Sequence, residues 1–316
     1  IAPAKQRGKL VAMFQFNITL GIVIAYFSNY LMSGIGENAW RWMLGVEAIP
    51  AFIFASLVFF LPKSPRWLIA IKGDEDAARK VLQEVSNENI DTAVSEINLS
   101  IASAKAGAGH FFSAKYRKPV MLAFLFAMFN QFSGINAIIY YAPRIFEMTG
   151  LGASASLLSS TGVGVTNLIF CIVGLFIIDF AGRRSLMYIG SFGLILTLSL
   201  VAYGFFAEQF AGIPAFIFLY IAFFSMSQGA VIWVFIAEIF PNRIRAQGQS
   251  FGSFTHWILA AIIANVFPYF ASQFGGGPVF SFFAVMMFLQ LLFVWKIMPE
   301  TKGRSLEELE KEMVKA

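Results

Sequence analysis

The chain alternates long apolar runs with shorter polar and charged segments, and this pattern predicts its elements. Eight runs reach or approach the roughly 20 residues that an α-helix needs to cross the hydrocarbon core of a bilayer. They lie at 10–33, 40–61, 119–142, 154–179, 185–207, 213–239, 247–273 and 278–298. The only long polar segment, 62–118, has acidic residues where two short helices would begin, and it predicts a helical linker on the membrane surface. The predicted fold is therefore an all-α membrane bundle.

Composition and charge support this class of protein and orient it. Hydrophobic residues make up 58% of the 316-residue chain and charged residues 13%, whereas a soluble domain has about 25% charged residues. All of the 23 Lys and Arg residues except Arg41 and Arg144 fall on one side of the predicted bundle. By the positive-inside rule that side is cytoplasmic, so we expect a multi-pass cell-membrane protein with both ends of this chain in the cytoplasm.

The same composition excludes several classes of site. Cys171 is the only cysteine, and His110 and His256 are the only histidines, so neither a disulfide framework nor a thiolate or multi-histidine metal site is expected. The net charge of +5 comes from cations between the spans, as topology requires, and does not indicate a nucleic-acid partner. The sequence has no plausible set of nucleophile, metal ligands or paired carboxylates for an enzyme. We expect no metal and no cofactor.

The third run carries polar residues that are out of place in lipid, at Asn130, Gln131, Asn136 and Tyr140. An unpaired amide in hydrocarbon costs several kcal/mol, so these groups should face protein, water or a polar solute. Asn136 and Tyr140 share a helix face, and Gly134 would let the helix loosen and turn Gln131 toward that face. Donors and acceptors beside an aromatic ring suit a neutral polyhydroxylated ligand such as a sugar. The alternative is that the amides only join neighbouring helices.

Other polar features lie in or beside the runs. Gln15 and Thr19 are four residues apart in the first run and could face a cavity together. The second run buries Glu47, and an intramembrane carboxylate is either functional or a structural hydrogen-bond partner near the outer surface. The segment 179–184 has one acid and two arginines, which suits either a cytoplasmic ion-pair latch between helices or ordinary arginines that set topology.

Two short motifs recur at nearly the same spacing. The segment 1–7 resembles 239–245 at an offset of 238, and 62–66 resembles 299–303 at an offset of 237. Both pairs stand at equivalent ends of apolar runs, which predicts a duplicated bundle with parallel halves. Four further spans would then precede this chain, with a glutamate directly before Ile1. The expected divisions are the end of an N-terminal bundle at 1–61, the linker at 62–118, a six-helix C-terminal bundle at 119–298 and a cytoplasmic tail at 299–316.

Together the motifs resemble the sugar porter family of the major facilitator superfamily, along the whole chain. The marks are the segment 62–66; Gln131, Asn136, Tyr140 and Tyr141; Asp179, Gly182, Arg183 and Arg184; Trp233, Glu238 and Arg245; and the segment 299–303. The resemblance implies a twelve-helix fold, of which this chain would hold the fifth to twelfth helices. It also implies a sugar bound between two halves that open alternately.

The resemblance implies roles for individual residues. Sugar contacts would come from Gln15, Asn130, Gln131, Asn136, Trp233 and Trp257. The outer gate would be closed by Tyr140 and Tyr141, next to the helix break at Gly134. A cytoplasmic ion-pair latch would be formed by Arg7, Arg66, Asp179, Arg183, Arg184, Glu238 and Arg245.

The sequence departs from the family pattern at several positions. Asn130 stands where the family usually has Gln, which shortens one contact. His256 replaces an amide, but its neutral imidazole can still donate or accept a hydrogen bond, so it is counted among the sugar-binding residues, and its charge could respond to pH. Phe180 replaces an arginine of the latch and Lys63 replaces an acid. The segment 228–231 lacks the prolines often found there in the family, which puts a helix break at that point in doubt.

The expected function is secondary transport of a monosaccharide, a hexose or pentose such as glucose or xylose, by a monomer that works by alternating access. Proton symport is the expected mode, and facilitated transport of a sugar or polyol, or sugar sensing without transport, are the alternatives. In proton-coupled members of that family the key carboxylate lies in the first of the twelve helices, which this chain would not include. Glu47 is therefore a weaker candidate for proton coupling. An organic-acid carrier is disfavoured because no Lys or Arg lies deep in a span.

Overall fold

The computed structural model describes residues 7–85, 89–105, 111–241, 243–304 and 306–314. Within these ranges every regular element is helical, including 3₁₀ turns at Ala114–Tyr116 and Phe210–Gly212 and π-helical turns at Leu68–Lys72 and Ser225–Gly229. The α-helices are α1 (Arg7–Met32), α2 (Ala39–Gly45), α3 (Ala48–Val58), α4 (Pro65–Trp67), α5 (Glu75–Val85), α6 (Ile90–Lys105), α7 (Arg117–Phe132), α8 (Ile135–Tyr140), α9 (Ala142–Met148), α10 (Ala153–Ala181), α11 (Arg183–Phe206), α12 (Ile213–Phe224), α13 (Ala230–Ile239), α14 (Arg245–Phe274), α15 (Gly276–Lys296) and α16 (Leu306–Val314).

Seven helical stretches in the described part of the chain are long and apolar enough to cross a membrane. They are Ala39–Val58, Ala114–Tyr140, Ala153–Ala181, Arg183–Phe206, Phe210–Ile239, Arg245–Phe274 and Gly276–Lys296. These stretches coincide with the second to eighth predicted runs, and α1, with 26 residues, covers the first. At about 1.5 Å per residue α1 is also long enough to cross the hydrocarbon core. The predicted all-α membrane fold is confirmed.

The second run differs from its prediction as one continuous helix. It is interrupted between α2 and α3, where Val46 and Glu47 form a turn. Pro50 explains the interruption, because it has no N–H to donate to the carbonyl of Val46. The Ile49 N–H donates to that carbonyl instead, at 3.1 Å, in a tighter turn. Glu47 lies at this turn, within the candidate span Ala39–Val58, and its side chain is not covered by other protein groups in the described part of the structure.

The contacts divide the chain into two compact units, Ile1–Asn17 with Ile35–His110 and Ile18–Gly34 with Phe111–Ala316. The first unit contains the predicted helical linker as α4 to α6. The carboxylate of Asp74 accepts a hydrogen bond from the Ala77 N–H at 2.9 Å, and the amide oxygen of Asn89 accepts from the Asp91 N–H at 2.9 Å. These bonds fix the starts of α5 and α6. The linker's own apolar core is Leu68, Ala78, Leu82 and Val94.

The second unit is a bundle whose core packs α7 to α9 against α11, α12, α14 and α15. Two glycines allow α11 to approach α12 and the π-helical turn Ser225–Gly229 closely. A Cβ at Gly190 would lie 1.9 Å from the Ser227 hydroxyl, and one at Gly193 would lie 2.2 Å from the ring of Phe223. Small residues at helix contacts are typical of membrane bundles, where close backbone packing replaces the hydrophobic effect.

The sixth run does not break where family members often have prolines. Between α12 and α13 it widens into the π-helical turn Ser225–Gly229. The buried Ser225 hydroxyl lies 2.7 Å from the Ile221 carbonyl and 2.7 Å from the amide oxygen of Asn167 on α10. A π turn of this kind leaves the helix continuous while changing the direction in which later side chains point. It therefore sets the orientation of α13, which carries Trp233.

Candidate functional site

The candidate site is built on a break in the third span. α7 ends at Phe132, Gly134 has the left-handed φ of +86°, and α8 begins at the next residue. A Cβ at Gly134 would lie 2.5 Å from the ring of Phe283, so a glycine also makes room for α15. The hydroxyl of Ser133 donates to the Asn130 carbonyl at 2.6 Å, and the Tyr220 hydroxyl donates to the Ser133 carbonyl at 2.9 Å. These bonds satisfy backbone groups that the break frees.

The break brings the predicted amides into one hydrogen-bonded network. The amide nitrogen of Asn136 donates to Gln131 Oε1 at 2.7 Å, and Gln131 Nε2 donates to Asn130 Oδ1 at 3.1 Å. Gln131 Nε2 also lies 3.0 Å and 3.1 Å from the two ring nitrogens of His256 on α14. Asn130 is 1% exposed and Gln131 is fully buried. The amide nitrogen of Asn130 has no hydrogen-bond partner among the described residues.

Aromatic rings lie beside this network. The ring centroids of Trp233 and His256 are 5.0 Å apart, and those of His256 and Trp257 are also 5.0 Å apart. Trp257 is 55% exposed, so part of its side chain is accessible to a ligand or to lipid. The imidazole thus joins the amides of α7 and α8 to the indoles of α13 and α14.

The two tyrosines predicted to form a gate have different surroundings. Tyr140 is 52% exposed. Tyr141 donates its hydroxyl to the Ala264 carbonyl of α14 at 2.8 Å, and its ring packs on Phe267 with centroids 5.3 Å apart. Tyr141 therefore ties the end of α8 to α14, whereas Tyr140 is about half exposed.

Four candidate residues lie in the other compact unit, and the structure describes the side chains of three of them. Gln15 is half-buried on α1, and the exposed Glu47 lies between α2 and α3. Arg66 is exposed on α4. Arg7 begins α1, but its side chain lies outside the described part of the structure.

The second set of candidate residues forms an ion-pair cluster at the turn from α10 to α11. Arg183 binds Glu238 with two hydrogen bonds, at 2.8 Å from Nη2 and 3.2 Å from Nε. Its Nη1 atom lies 3.2 Å from Asp179, whose side chain is 83% exposed. Glu238 also accepts a hydrogen bond of 2.6 Å from the Thr301 hydroxyl. Arg245 begins α14 and is half-buried.

Glu300 completes this cluster, although in the sequence it stands out only as part of a repeated motif. Its carboxylate accepts hydrogen bonds from the backbone N–H groups of Arg183 at 3.1 Å and Arg184 at 2.9 Å, and so caps α11. Gly182, with φ of +88°, allows this approach, because a Cβ there would lie 2.8 Å from the carboxylate. Arg184 bonds to the main-chain carbonyl of Trp295 at 2.6 Å rather than to an acid.

Neither cluster resembles a metal centre. In the part of the chain that the structure describes, no group of three or more His, Cys, Asp and Glu side chains is placed to hold a metal ion. The Gln131 network consists of three amides and one imidazole, which can exchange hydrogen bonds with a neutral polar solute.

Comparison with known proteins places the chain in a family. The family model described as sugar (and other) transporter matches residues 1–313. The D-xylose transporter of Levilactobacillus brevis is 37% identical, over 98% of this chain and 69% of the relative. The glucose transporter GlcP of Staphylococcus epidermidis is 36% identical, over 99% of this chain and 71% of the relative.

A solved structure gives the same result. The proton:xylose symporter XylE from E. coli, a major facilitator superfamily protein bound to 6-bromo-6-deoxy-D-glucose, matches with a TM-score of 0.78 and 33% identity, over 99% of this chain and 68% of that one. The chain thus spans about two thirds of the length of these relatives. The predicted family resemblance is confirmed.

Proposed function

The chain belongs to the sugar transporter family of the major facilitator superfamily, and from that premise we propose that the protein carries a monosaccharide across a cell membrane by alternating access. The amide network around Gln131 is the observation that carries this proposal. It lies within a stretch that is able to cross a membrane, beside the indoles of Trp233 and Trp257.

The chemistry of the network suits a sugar better than an ion. Each sugar hydroxyl both donates and accepts hydrogen bonds, and the network offers both kinds of partner. The buried, unpartnered amide nitrogen of Asn130 is a donor, and the amide oxygens of Gln131 and Asn136 are acceptors. All of these side chains are uncharged, which disfavours a carboxylate or phosphate ligand. The indole faces of Trp233 and Trp257 supply apolar surface for the C–H face of a sugar ring.

The broken helix suggests how binding would be coupled to movement. In this proposal α8 swings about Gly134 when sugar bonds to the amides on both sides of the break, and Tyr140 and Tyr141 move with it. Sugar favours closure only if it binds the closed arrangement better than the open one. The Arg183–Glu238 cluster would hold the opposite end of the bundle until that point.

We extend the proposal to coupling, orientation and architecture. The xylose and glucose relatives and the proton coupling of XylE favour a hexose or pentose carried together with a proton. The proposed protein acts as a monomer, with residues 119–298 forming its C-terminal six-helix half and the segments 62–118 and 299–316 in the cytoplasm. Gln15 and the latch residues Arg7 and Arg66 keep their sequence-predicted roles as part of this proposal.

The test is uptake by the full-length protein in proteoliposomes. Radiolabelled D-xylose and D-glucose are supplied with and without an inward proton gradient, and protein-free liposomes serve as the control. We expect saturable uptake of at least one sugar, accelerated by the gradient. Saturable uptake that does not depend on the proton gradient would indicate facilitated transport rather than symport. A folded protein that binds a sugar but never moves it would contradict transport and favour a sensor.

A further inference from the structure

The first long helix contributes a side chain to the broken span. Residues Ile18–Gly34, which include the second half of α1, belong to the same compact unit as α7 to α15. Tyr26 lies on this part of α1, and its hydroxyl donates a hydrogen bond to the main-chain carbonyl of Ile139 on α8. Because Ile139 follows the break at Gly134, the bond ties α1 to the part of the span that lies beyond the break.

The position of Pro143 explains why the Ile139 carbonyl takes its partner from another helix. In a continuous α-helix a carbonyl accepts from the N–H four residues later, and four residues after Ile139 stands Pro143, which has no N–H. The proline is tolerated because it lies in the first turn of α9. A carbonyl without a partner is costly within a membrane span, and the Tyr26 hydroxyl removes that cost.

The ring of Tyr26 is held in place by packing on α10. A Cβ at Gly164 would lie 3.1 Å from the Tyr26 ring and 3.2 Å from the Cα of Val23, so this glycine lets α1 lie close against α10. Tyr26 also packs against the buried core of the bundle. Its hydroxyl is therefore directed at α8 by contacts that do not depend on the hydrogen bond itself.

We propose that Tyr26 is a positioning residue that acts through α8, holding it in the arrangement that assembles the amide network; this inference rests on the proposed function of sugar transport. In this arrangement Asn136 on α8 reaches Gln131 on α7 across the break, at 2.7 Å. Without the Tyr26 hydroxyl, the Ile139 carbonyl would be unpaired in this arrangement, and other arrangements of α8 would be favoured. The fraction of molecules ready to bind sugar would fall, and the apparent affinity would fall with it.

Binding measurements on two tyrosine variants test this role. D-xylose and D-glucose binding to the full-length protein is measured by calorimetry. Tyr26→Phe keeps the ring but removes the hydroxyl, and we expect it to weaken binding by about tenfold, the effect of one lost buried hydrogen bond. Tyr30→Phe, four residues later on α1, is the matched control, because the Tyr30 hydroxyl has no hydrogen-bond partner among the described residues. Unchanged binding by Tyr26→Phe would overturn the proposal.

A double-mutant cycle with Pro143→Ala separates positioning from direct contact with the sugar. Alanine restores an N–H four residues after Ile139, so α8 can continue into α9 and satisfy the carbonyl without Tyr26. In the Pro143→Ala background we therefore expect Tyr26→Phe to weaken binding by less than about threefold. A full loss of about tenfold in that background would mean that the Tyr26 hydroxyl contacts the sugar itself, and the proposal would be wrong.

A thiol reporter on α8 tests the same role independently of Pro143→Ala. Ile138 is fully buried on α8, so a thiol introduced by Ile138→Cys reacts only when α8 moves. With the other cysteines replaced, we expect Tyr26→Phe to speed its labelling by a small thiol reagent about tenfold and Tyr30→Phe to leave it unchanged. An unaltered labelling rate in Tyr26→Phe that melts normally would also contradict the proposal. Absence of sugar binding by folded wild type would instead count against the proposed function.

Discussion

At the scale of single residues, Gly134 decides where α7 ends and how closely α15 can approach. An alanine there would combine two costs. A left-handed backbone costs a non-glycine residue about 1–2 kcal/mol, and forcing a methyl group against the Phe283 ring costs about 1–3 kcal/mol more. We therefore expect Gly134→Ala to lower the thermal melting temperature of the purified protein and to slow sugar uptake.

Gly150 supplies the matched control for this prediction. Its φ is +89°, almost the same as that of Gly134, but a Cβ at Gly150 would meet nothing within 4 Å. Gly150→Ala should therefore show only the backbone cost and leave uptake unchanged. If the two variants melted at the same temperature, the Phe283 ring would have moved aside without penalty and the steric part of the argument would be wrong.

Sequence reasoning identified the amides of this site because their polarity is anomalous in an apolar run. It also located the helix break, since glycine tolerates a positive φ. It did not pair His256 with Gln131, because the two residues are 125 positions apart and only the packing of α14 on α7 brings them together. Nor did it separate Tyr140 from Tyr141. Tyr140 is the last residue of α8, whereas Tyr141 forms the turn between α8 and α9, and from that turn its hydroxyl reaches Ala264.

At the scale of elements, Arg183 at the turn from α10 to α11 makes two ion pairs of unequal strength. The strong one joins it to Glu238 on α13, and the weak one joins it to Asp179, whose side chain faces solvent. Arg183 is 9% exposed and binds Glu238 bidentately, whereas the side chain of Asp179 is 83% exposed. Glu238→Gln removes the main charge opposite a buried guanidinium, and we expect it to cost about 2–4 kcal/mol of stability. Asp179→Asn removes a solvent-screened partner and should cost about 0–1 kcal/mol.

Thermal melting of the two variants, together with uptake rates, checks this difference. Equal losses would show that the bidentate geometry contributes nothing beyond a surface ion pair. Thr301→Val tests the remaining contact, because it removes only the hydroxyl that bonds to Glu238 at 2.6 Å and should fall between the two. Such a graded series would rank the contacts of this cluster by their burial and geometry.

The elements themselves were largely predictable, and the exceptions have local causes. The spans followed from runs of apolar residues, and the linker helices from their acidic starts. The interruption at Val46 and Glu47 has a signal in the sequence, Pro50, that apolar length alone conceals. The π-helical turn Ser225–Gly229 has no comparable signal. It accommodates the hydrogen bond between Ser225 and Asn167, which lie 58 residues apart.

At the scale of the whole molecule, the orientation of the bundle in the membrane decides on which side of the membrane each cluster lies. The linker is rich in Lys and Arg, whereas the loop at 207–212 has neither. By the positive-inside rule we expect the linker in the cytoplasm and the loop outside. We expect the same side as the linker for the Arg183–Glu238 cluster, because its own segments 180–184 and 299–304 carry four Lys and Arg residues. In this orientation the cluster restrains the inner end of the bundle, and Tyr140 lies on the outer side of the amide network.

Cysteine labelling tests this orientation with little background from the chain itself. Its only cysteine, Cys171, is 1% exposed. Asn98→Cys on the linker and Gln209→Cys in the loop both introduce a thiol at an exposed position. In cells carrying the full-length protein with any cysteines outside this chain replaced, a membrane-impermeant maleimide should label Gln209→Cys before permeabilisation and Asn98→Cys only afterwards. The opposite order would invert the bundle and make the Arg183–Glu238 cluster an outer latch.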